Sequence, residues 1–462
     1  MKNVILLFLS ALLSLQTAFG QIKSKVDERF ELIGVMFALA GVPEYGQIGV
    51  SSYKEDIIDK FISFENSDEI EYIRILNQEH AIGYNAVATT TDMLEFHKGI
   101  IRLKPCYEIS KISEMDSRWN EFLFAEYLKV VNSFYKNSNF HDFYTNHSEL
   151  YNTMETQMDQ LLNDIKFEWF ESFFGKPFDR QIQVMISLTN SSSNYAIPTG
   201  VILGIITDAN GIPRLSDIKK YSLIHEICHH YTNPLFERLW PKIKNEAEEI
   251  YPTVEQQMRQ YAYSGARTVF AEWLNNLCTL MYYKEYEPAD YRGNIGMNMS
   301  RGFIWMERSV DFMENFYTDR ERYPTINEFM SQIVNFVKFT TGNLGFIVRE
   351  YEARHPYILS IYPAINSEID DVHEIIVTFS EPMLGSTGFI PQIDDSDVKP
   401  MFFLKDLKWS DDRRQIKFII EPDEAQENGF YGFGLDPKWF LSLRYFSLDP
   451  NSQNLIFKIS KK

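Results

Sequence analysis

Cysteine is scarce in this sequence: Cys106, Cys228 and Cys278 are the whole complement of a 462-residue chain. So few thiols exclude a disulfide scaffold, and a single bridge would leave one of them odd. Basic charge is short as well, with 45 Lys and Arg against 64 Asp and Glu, a formal net charge of −19 at pH 7. A surface of that sign repels phosphate backbones and anionic lipid heads, so neither nucleic acid nor a membrane surface is an expected partner. Beyond the first twenty residues no apolar run is long enough to span a bilayer. Internal repeats and low-complexity tracts are missing too, which excludes solenoids and disordered linkers.

What is present is the composition of ordinary folded protein, 45% hydrophobic and 24% charged, with 36 Phe and 26 Tyr to build aromatic-rich cores. The length suits two or three domains. Residues 1–20 read as an export signal. Lys2 gives a positive start, Val4 to Leu15 is almost wholly apolar, and Ala18-Phe19-Gly20 offers small residues at a cleavage site. A mature chain starting near Gln21, secreted or periplasmic and without stable membrane insertion, is the expectation.

Along residues 21–175 the apolar spacing is helical. It is carried by Phe30 to Leu39, by Ile57 to Ile62, by Phe122 to Phe134, and by Tyr151, Met154, Met158 and Leu162. The period then drops to two at Ile182, Val184, Ile186 and Leu188, predicting a strand, with a polar loop at Asn190 to Asn194. A second strand is predicted at Val201 to Thr207, ending in the turn Asp208-Ala209-Asn210-Gly211. After a boundary near His355-Pro356, residues 357–462 read as short strands at Ile375 to Phe379, Met401 to Leu404, Ile416 to Ile420, Tyr431 to Gly434 and Leu455 to Ile459. That spacing suits a small sandwich.

Between these regions lies His225-Glu226-Ile227-Cys228-His229. It sits on a helix predicted to begin near Ser216-Asp217 and to stop at Asn233-Pro234, where proline opposes continuation. Two histidines four apart share one helix face and can reach a single ion, and the intervening glutamate is placed to hold a water. This is the H-E-x-x-H arrangement of zinc peptidases. His230 is one residue past the pair and suits a supporting hydrogen bond better than ligation. A catalytic zinc takes three protein ligands and keeps one position open. Glu248 and Glu249 lie in a charge-dense, solvated stretch, whereas Glu272 flanks the apolar stripe Ala266, Phe270, Trp273, Leu277, Leu280. A carboxylate beside such a stripe needs a partner, a metal or an ion pair with Arg267, and Glu272 is the preferred third ligand. Tyr261, Tyr263 and His230 are the candidates for stabilising an oxyanion.

These motifs resemble a family of bacterial zinc-peptidase-like proteins catalogued as a domain of unknown function. The resemblance runs from about residue 26 to 350. It is carried by Glu28-Arg29-Phe30-Glu31-Leu32 through Leu39-Ala40-Gly41, by Phe170-Glu171-Ser172-Phe173-Phe174-Gly175, by the histidine motif with Asn233-Pro234, and by the Glu272 helix. The likeness is to gluzincins, which implies an α+β chain. Its mostly helical metallopeptidase domain would carry a small antiparallel sheet, with a zincin-like core over residues 176–355. It also implies His225, His229 and Glu272 as ligands of one Zn2+, Glu226 as general base, and a protein or peptide substrate. Ala271-Glu272-Trp273-Leu274-Asn275-Asn276 departs from the pattern in lacking an arginine after the glutamate. Ser360-Ile361-Tyr362-Pro363 and Val377-Thr378-Phe379-Ser380-Glu381-Pro382-Met383 are similar to bacterial Ig-like domains.

The expected activity is thus secreted zinc-dependent peptide hydrolysis, with Val201 to Thr207 as the cleft edge along which an extended substrate lies. Two other classes fit the same residues: a zinc-binding or surface-interaction protein without catalysis, and an amidase acting on cell-wall peptides.

Overall fold

The computed structural model describes residues 22–460 apart from 47, 180, 191–192, 208–212, 215–216, 370–372, 392, 401–403, 422–426, 438, 450 and 453. The signal-like stretch 1–20, the turn at 208–211, Ser216 and residues 401–403 lie outside the described residues. Two compact units divide the chain, Met1–Tyr231 and Thr232–Lys462. The chain is α+β.

The first unit opens with β1 (Ser24–Val26) and α1 (Glu28–Leu39). Helices α2 (Ser51–Phe61), α3 (Asp68–His80) and α4 (Tyr84–Asp92) follow. A hairpin, β2 (Leu94–His97) and β3 (Ile100–Leu103), precedes α5 (Ile112–Met115), α6 (Glu121–Asn137), α7 (Phe140–Asn146), α8 (Ser148–Asp164) and α9 (Glu168–Phe174). Then come β4 (Gln183–Ser187), β5 (Asn194–Ile197), β6 (Gly200–Gly204) and the short antiparallel pair β7 (Ile206–Thr207) and β8 (Pro213–Arg214).

Helix α1 starts where Asp27 accepts the Arg29 N–H, the N-cap bond that satisfies one orphan donor. Burial opposes the Asp27 charge, but the paired Arg29 guanidinium outweighs it and draws the carboxyl down to about 2. Apolar residues surround α1 so fully that Glu31 is enclosed with them. Its carboxyl accepts the Leu188 N–H and the Tyr53 hydroxyl, each at 2.9 Å, tying α1 to the end of β4. Burial still raises it to about 7.

The sheet order is β1-β4-β6-β5. Two of its pairings are parallel, β1 with β4 and β4 with β6, and β5 with β6 is the antiparallel one. Strand β6 is therefore an inner strand, which corrects the expectation that Val201 to Thr207 forms the cleft edge; on this side the edge is β5. Sequence periodicity missed β5 because four residues beside a polar loop are too short to show a repeat. At the start of β6 a Cβ on Gly200 would lie 1.9 Å from the Gln183 carbonyl oxygen, so only glycine permits that strand approach. Buried Asp92 holds the β5–β6 turn, accepting from the Thr199 N–H at 2.9 Å and its hydroxyl at 2.5 Å.

Helix α10 runs from Asp217 to Arg259, with Pro234, Pro241 and Pro252 inside it. It does not stop at Asn233-Pro234. Each proline removes one backbone bond, and all three are exposed, so water can serve the carbonyls they release. The second unit continues with α11 (Ala266–Tyr286), α12 (Pro288–Ser300), α13 (Met306–Phe312), α14 (Glu314–Thr318), α15 (Ile326–Gly342) and α16 (Leu344–Glu352). Helix α11 is buried over most of its surface: Phe270 stacks on Trp305, Trp273 stacks on Phe336, and the Trp273 indole N–H donates to the Ser309 hydroxyl. No helix among the described residues is long and apolar enough to cross a membrane.

From Ile358 the chain is all β. One sheet has β9 (Ile358–Tyr362), β11 (Glu374–Phe379), β14 (Leu404–Trp409) and β15 (Gln415–Ile420) in antiparallel order β14-β15-β11-β9. The other holds β10 (Glu368–Ile369), β12 (Phe389–Ile390), β13 (Val398–Pro400), β16 (Gly429–Leu435) and β17 (Leu455–Ile459). Their alternating inward residues, among them Val377, Phe379, Phe418, Phe433 and Phe457, form one apolar core, an arrangement compatible with an Ig-like sandwich. Glycines let this region press on α12: a Cβ on Gly296 would lie 2.4 Å from the Arg444 carbonyl oxygen, and one on Gly293 would lie 2.9 Å from the Tyr445 ring. Beside that seam His355 donates through Nδ1 to the Ser447 carbonyl at 2.7 Å, and Tyr351 packs on Phe446.

Candidate metal centre

The first turns of α10 bury Leu223, Ile224, Ile227, Cys228 and Tyr231, an apolar stripe at helical spacing that fixes the rotation of the helix. Tyr231 stacks on Phe170 and Phe174 of α9 with ring centroids 5.3 and 4.7 Å away, so the aromatic motif noted in the sequence is the bed for this helix. His230 donates through Nε2 to the Gly200 carbonyl at 2.9 Å, joining the helix to β6. Burial pushes the His230 pKa below its usual value, outweighing the bond to the Gly200 carbonyl, which by itself favours the charged ring. It is an anchoring residue, outside the ligand group.

With the stripe turned inward, His225 and His229 fall on a half-buried face, their rings 4.9 Å apart and perpendicular. Glu226 is 7% exposed. One ligand atom each from His225, His229 and Glu272 lie within 4.8 Å of one another, and the three residues form a group that could hold a metal ion. That span is close to the diameter of a coordination shell of about 2.0–2.2 Å radius. Among the described residues no other such cluster of His, Cys, Asp and Glu is formed.

The rival positions behave otherwise. Glu248 and Glu249 are exposed, and Glu248 faces Lys244 at 3.7 Å. Arg267 pairs with both carboxylate oxygens of Glu237, at 2.6 and 2.8 Å. No disulfide joins Cys106, Cys228 and Cys278. Tyr261 is exposed beneath the Arg301 guanidinium, and the half-buried Tyr263 packs its ring near Phe303.

Sequence reasoning missed three features. Tyr195, on the edge strand, has its phenol buried and its pKa raised well above the usual value by burial, with Glu226 among the acids adding to the shift. Its only sequence signal was an aromatic next to a polar loop. The two turns after Glu272 enclose Asn275, Asn276 and Thr279, where an arginine was expected. Thr232, one turn past His229, is 1% exposed and donates its hydroxyl to the Asn275 side-chain oxygen at 2.6 Å.

Residues 120–336 match a family described as a domain of unknown function, DUF4932. The DUF4932 match spans α10 and α11, and with them every residue of the ligand group; it leaves out β1, α1 and the sandwich. No curated protein matches the chain.

Proposed function

We propose that this chain is an exported zinc metallopeptidase, with His225, His229 and Glu272 as metal ligands and Glu226 as general base. The observation that carries the reading is the convergence of two imidazoles and a carboxylate beside an enclosed glutamate. Two nitrogens and one oxygen are a donor set that catalytic zinc takes, leaving its fourth position open. When bound there, the ion supplies a water acidic enough to lose a proton near neutral pH and polarises the scissile carbonyl. Glu226 accepts that proton and delivers it to the departing amine. A substrate in extended form adds alongside β5, the sheet edge, through backbone hydrogen bonds. The export-signal pattern at residues 1–20 supports an activity outside the cytoplasm.

Metal analysis of the purified protein, paired with assays on unfolded protein and on peptidoglycan peptides before and after chelation, tests this reading. One zinc per chain with chelator-sensitive cleavage of unfolded protein supports it. Activity confined to peptidoglycan peptides would replace it with an amidase, and zinc without cleavage of either would leave a binding protein. A folded chain that takes up no divalent metal overturns it. His229→Ala should abolish metal retention.

A further inference from the structure

Helix α11 is buried over most of its length, and the two turns following Glu272 enclose Asn275, Asn276 and Thr279 at 0%, 2% and 0% exposure. Polar groups buried in that number cost stability unless they are bonded, and these are. The Asn276 amide donates to the Glu272 carbonyl at 2.8 Å, and the Thr279 hydroxyl donates to the Asn275 carbonyl at 2.9 Å. Both bonds stay within α11 and could only stiffen it. The Thr232–Asn275 bond is different, because it joins α11 to α10. Thr232 follows His229 by three residues and Asn275 follows Glu272 by three, so on each helix the bonded residue lies one turn beyond a metal ligand. Valine would fill the Thr232 site with nearly the same volume and no hydroxyl. Apolar packing alone lets two helices slide, whereas one short buried hydrogen bond fixes a register.

We propose that Thr232 and Asn275 are positioning residues that lock α11 against α10 in the register placing the Glu272 carboxylate beside His225 and His229. The inference rests on the metal reading above. It assigns neither residue a contact with metal or substrate.

The test compares Thr232→Val and Thr232→Ser with the parent, each stripped of metal and titrated with Zn2+ and with Co2+, whose visible spectrum reports ligand geometry. Thr232→Val should weaken Zn2+ binding by roughly 10–100-fold, the usual effect of losing a group that orients a ligand, and should alter the Co2+ spectrum. Thr232→Ser, which keeps the hydroxyl, should recover both. Hydrogen exchange of the metal-free chains adds an independent readout: amides around Glu272 to Asn276 should lose protection in Thr232→Val and regain it in Thr232→Ser. Unchanged affinity and unchanged protection in Thr232→Val would overturn the proposal, as would equal damage from Thr232→Ser. A parent that binds no metal would instead sink the zinc reading, and the exchange comparison would still decide whether this bond holds the Glu272 turn.

Discussion

In the sandwich Ser442 is the single fully enclosed polar residue among those described, whereas the helices from Glu28 to Glu352 enclose Glu31, Asp92, Glu226, Thr232, Asn275 and Asn298 among others. Both regions have dense aromatic cores, so packing demand does not separate them. A core held by apolar packing alone has little use for groups that burial penalises, and the interior of the sandwich is close to that limit. Where enclosed polar residues concentrate, they bond across elements: Asp92 to Thr199, Glu31 to Leu188 and Thr232 to Asn275. On the function proposed above, the difference follows where chemistry is carried out.

The sharpest way to break this contrast is to remove the polar group whose proposed use is catalytic. Glu226→Gln should lower peptide hydrolysis by roughly 10²–10⁴-fold, with metal content unchanged and thermal stability equal or higher. Undiminished cleavage would show that Glu226 is enclosed for structure alone. Phe418→Ala in the sandwich should do the reverse. It removes a ring that is fully buried and within 5.7 Å of Phe433, costing about 3–5 kcal/mol of stability, while zinc stoichiometry stays the same. Calorimetry and metal analysis on the two variants give the crossed result directly.

Glu31 sharpens the comparison through pH. Burial raises its pKa to about 7 against an ordinary 4.5, so the folded chain keeps a proton that the unfolded chain releases. Its contribution is complete below about pH 4.5 and is lost as pH rises through 7, on the order of 3 kcal/mol. Glu31→Gln should flatten that slope in denaturant midpoints measured across pH 4 to 8. A slope that survives the substitution would assign it to another group. Asp27 acts at the other end, its contribution being lost as pH falls through about 2. The smallest effect belongs to Ser442→Ala. Its hydroxyl accepts the Arg444 and Phe446 N–H groups at 3.2 Å each, and its loss should cost about 1 kcal/mol. A cost several times larger would mean that the sandwich depends on its polar interior as the helices do.

Much of this was readable in the residues. Period-two patterning located β4, β11, β15, β16 and β17, and burial logic chose Glu272 over the solvated Glu248 and Glu249. The H-E-x-x-H spacing was enough to bring His225 and His229 onto one face. Where reading failed, the cause was context. Pro234 reads as a stop, but its side chain is on a solvent face where the lost bond is tolerated. Strand β5 is too short to declare a period. The parallel pairing of β4 with β6 depends on a connection through β5 that no local pattern encodes. Nothing marks Thr232 between Tyr231 and Asn233, since a hydroxyl's partner 43 residues away leaves no trace in spacing.

The two glycines of α12 have a practical corollary. At Gly293 and Gly296 the helix carries no side chains of its own, and Arg444 and Tyr445 do the covering. Cutting the chain at His355-Pro356 would bare that strip of main chain together with Tyr351. A shortened protein would therefore be threatened first by self-association along α12, and small outward-facing polar replacements there would have to accompany any such trimming.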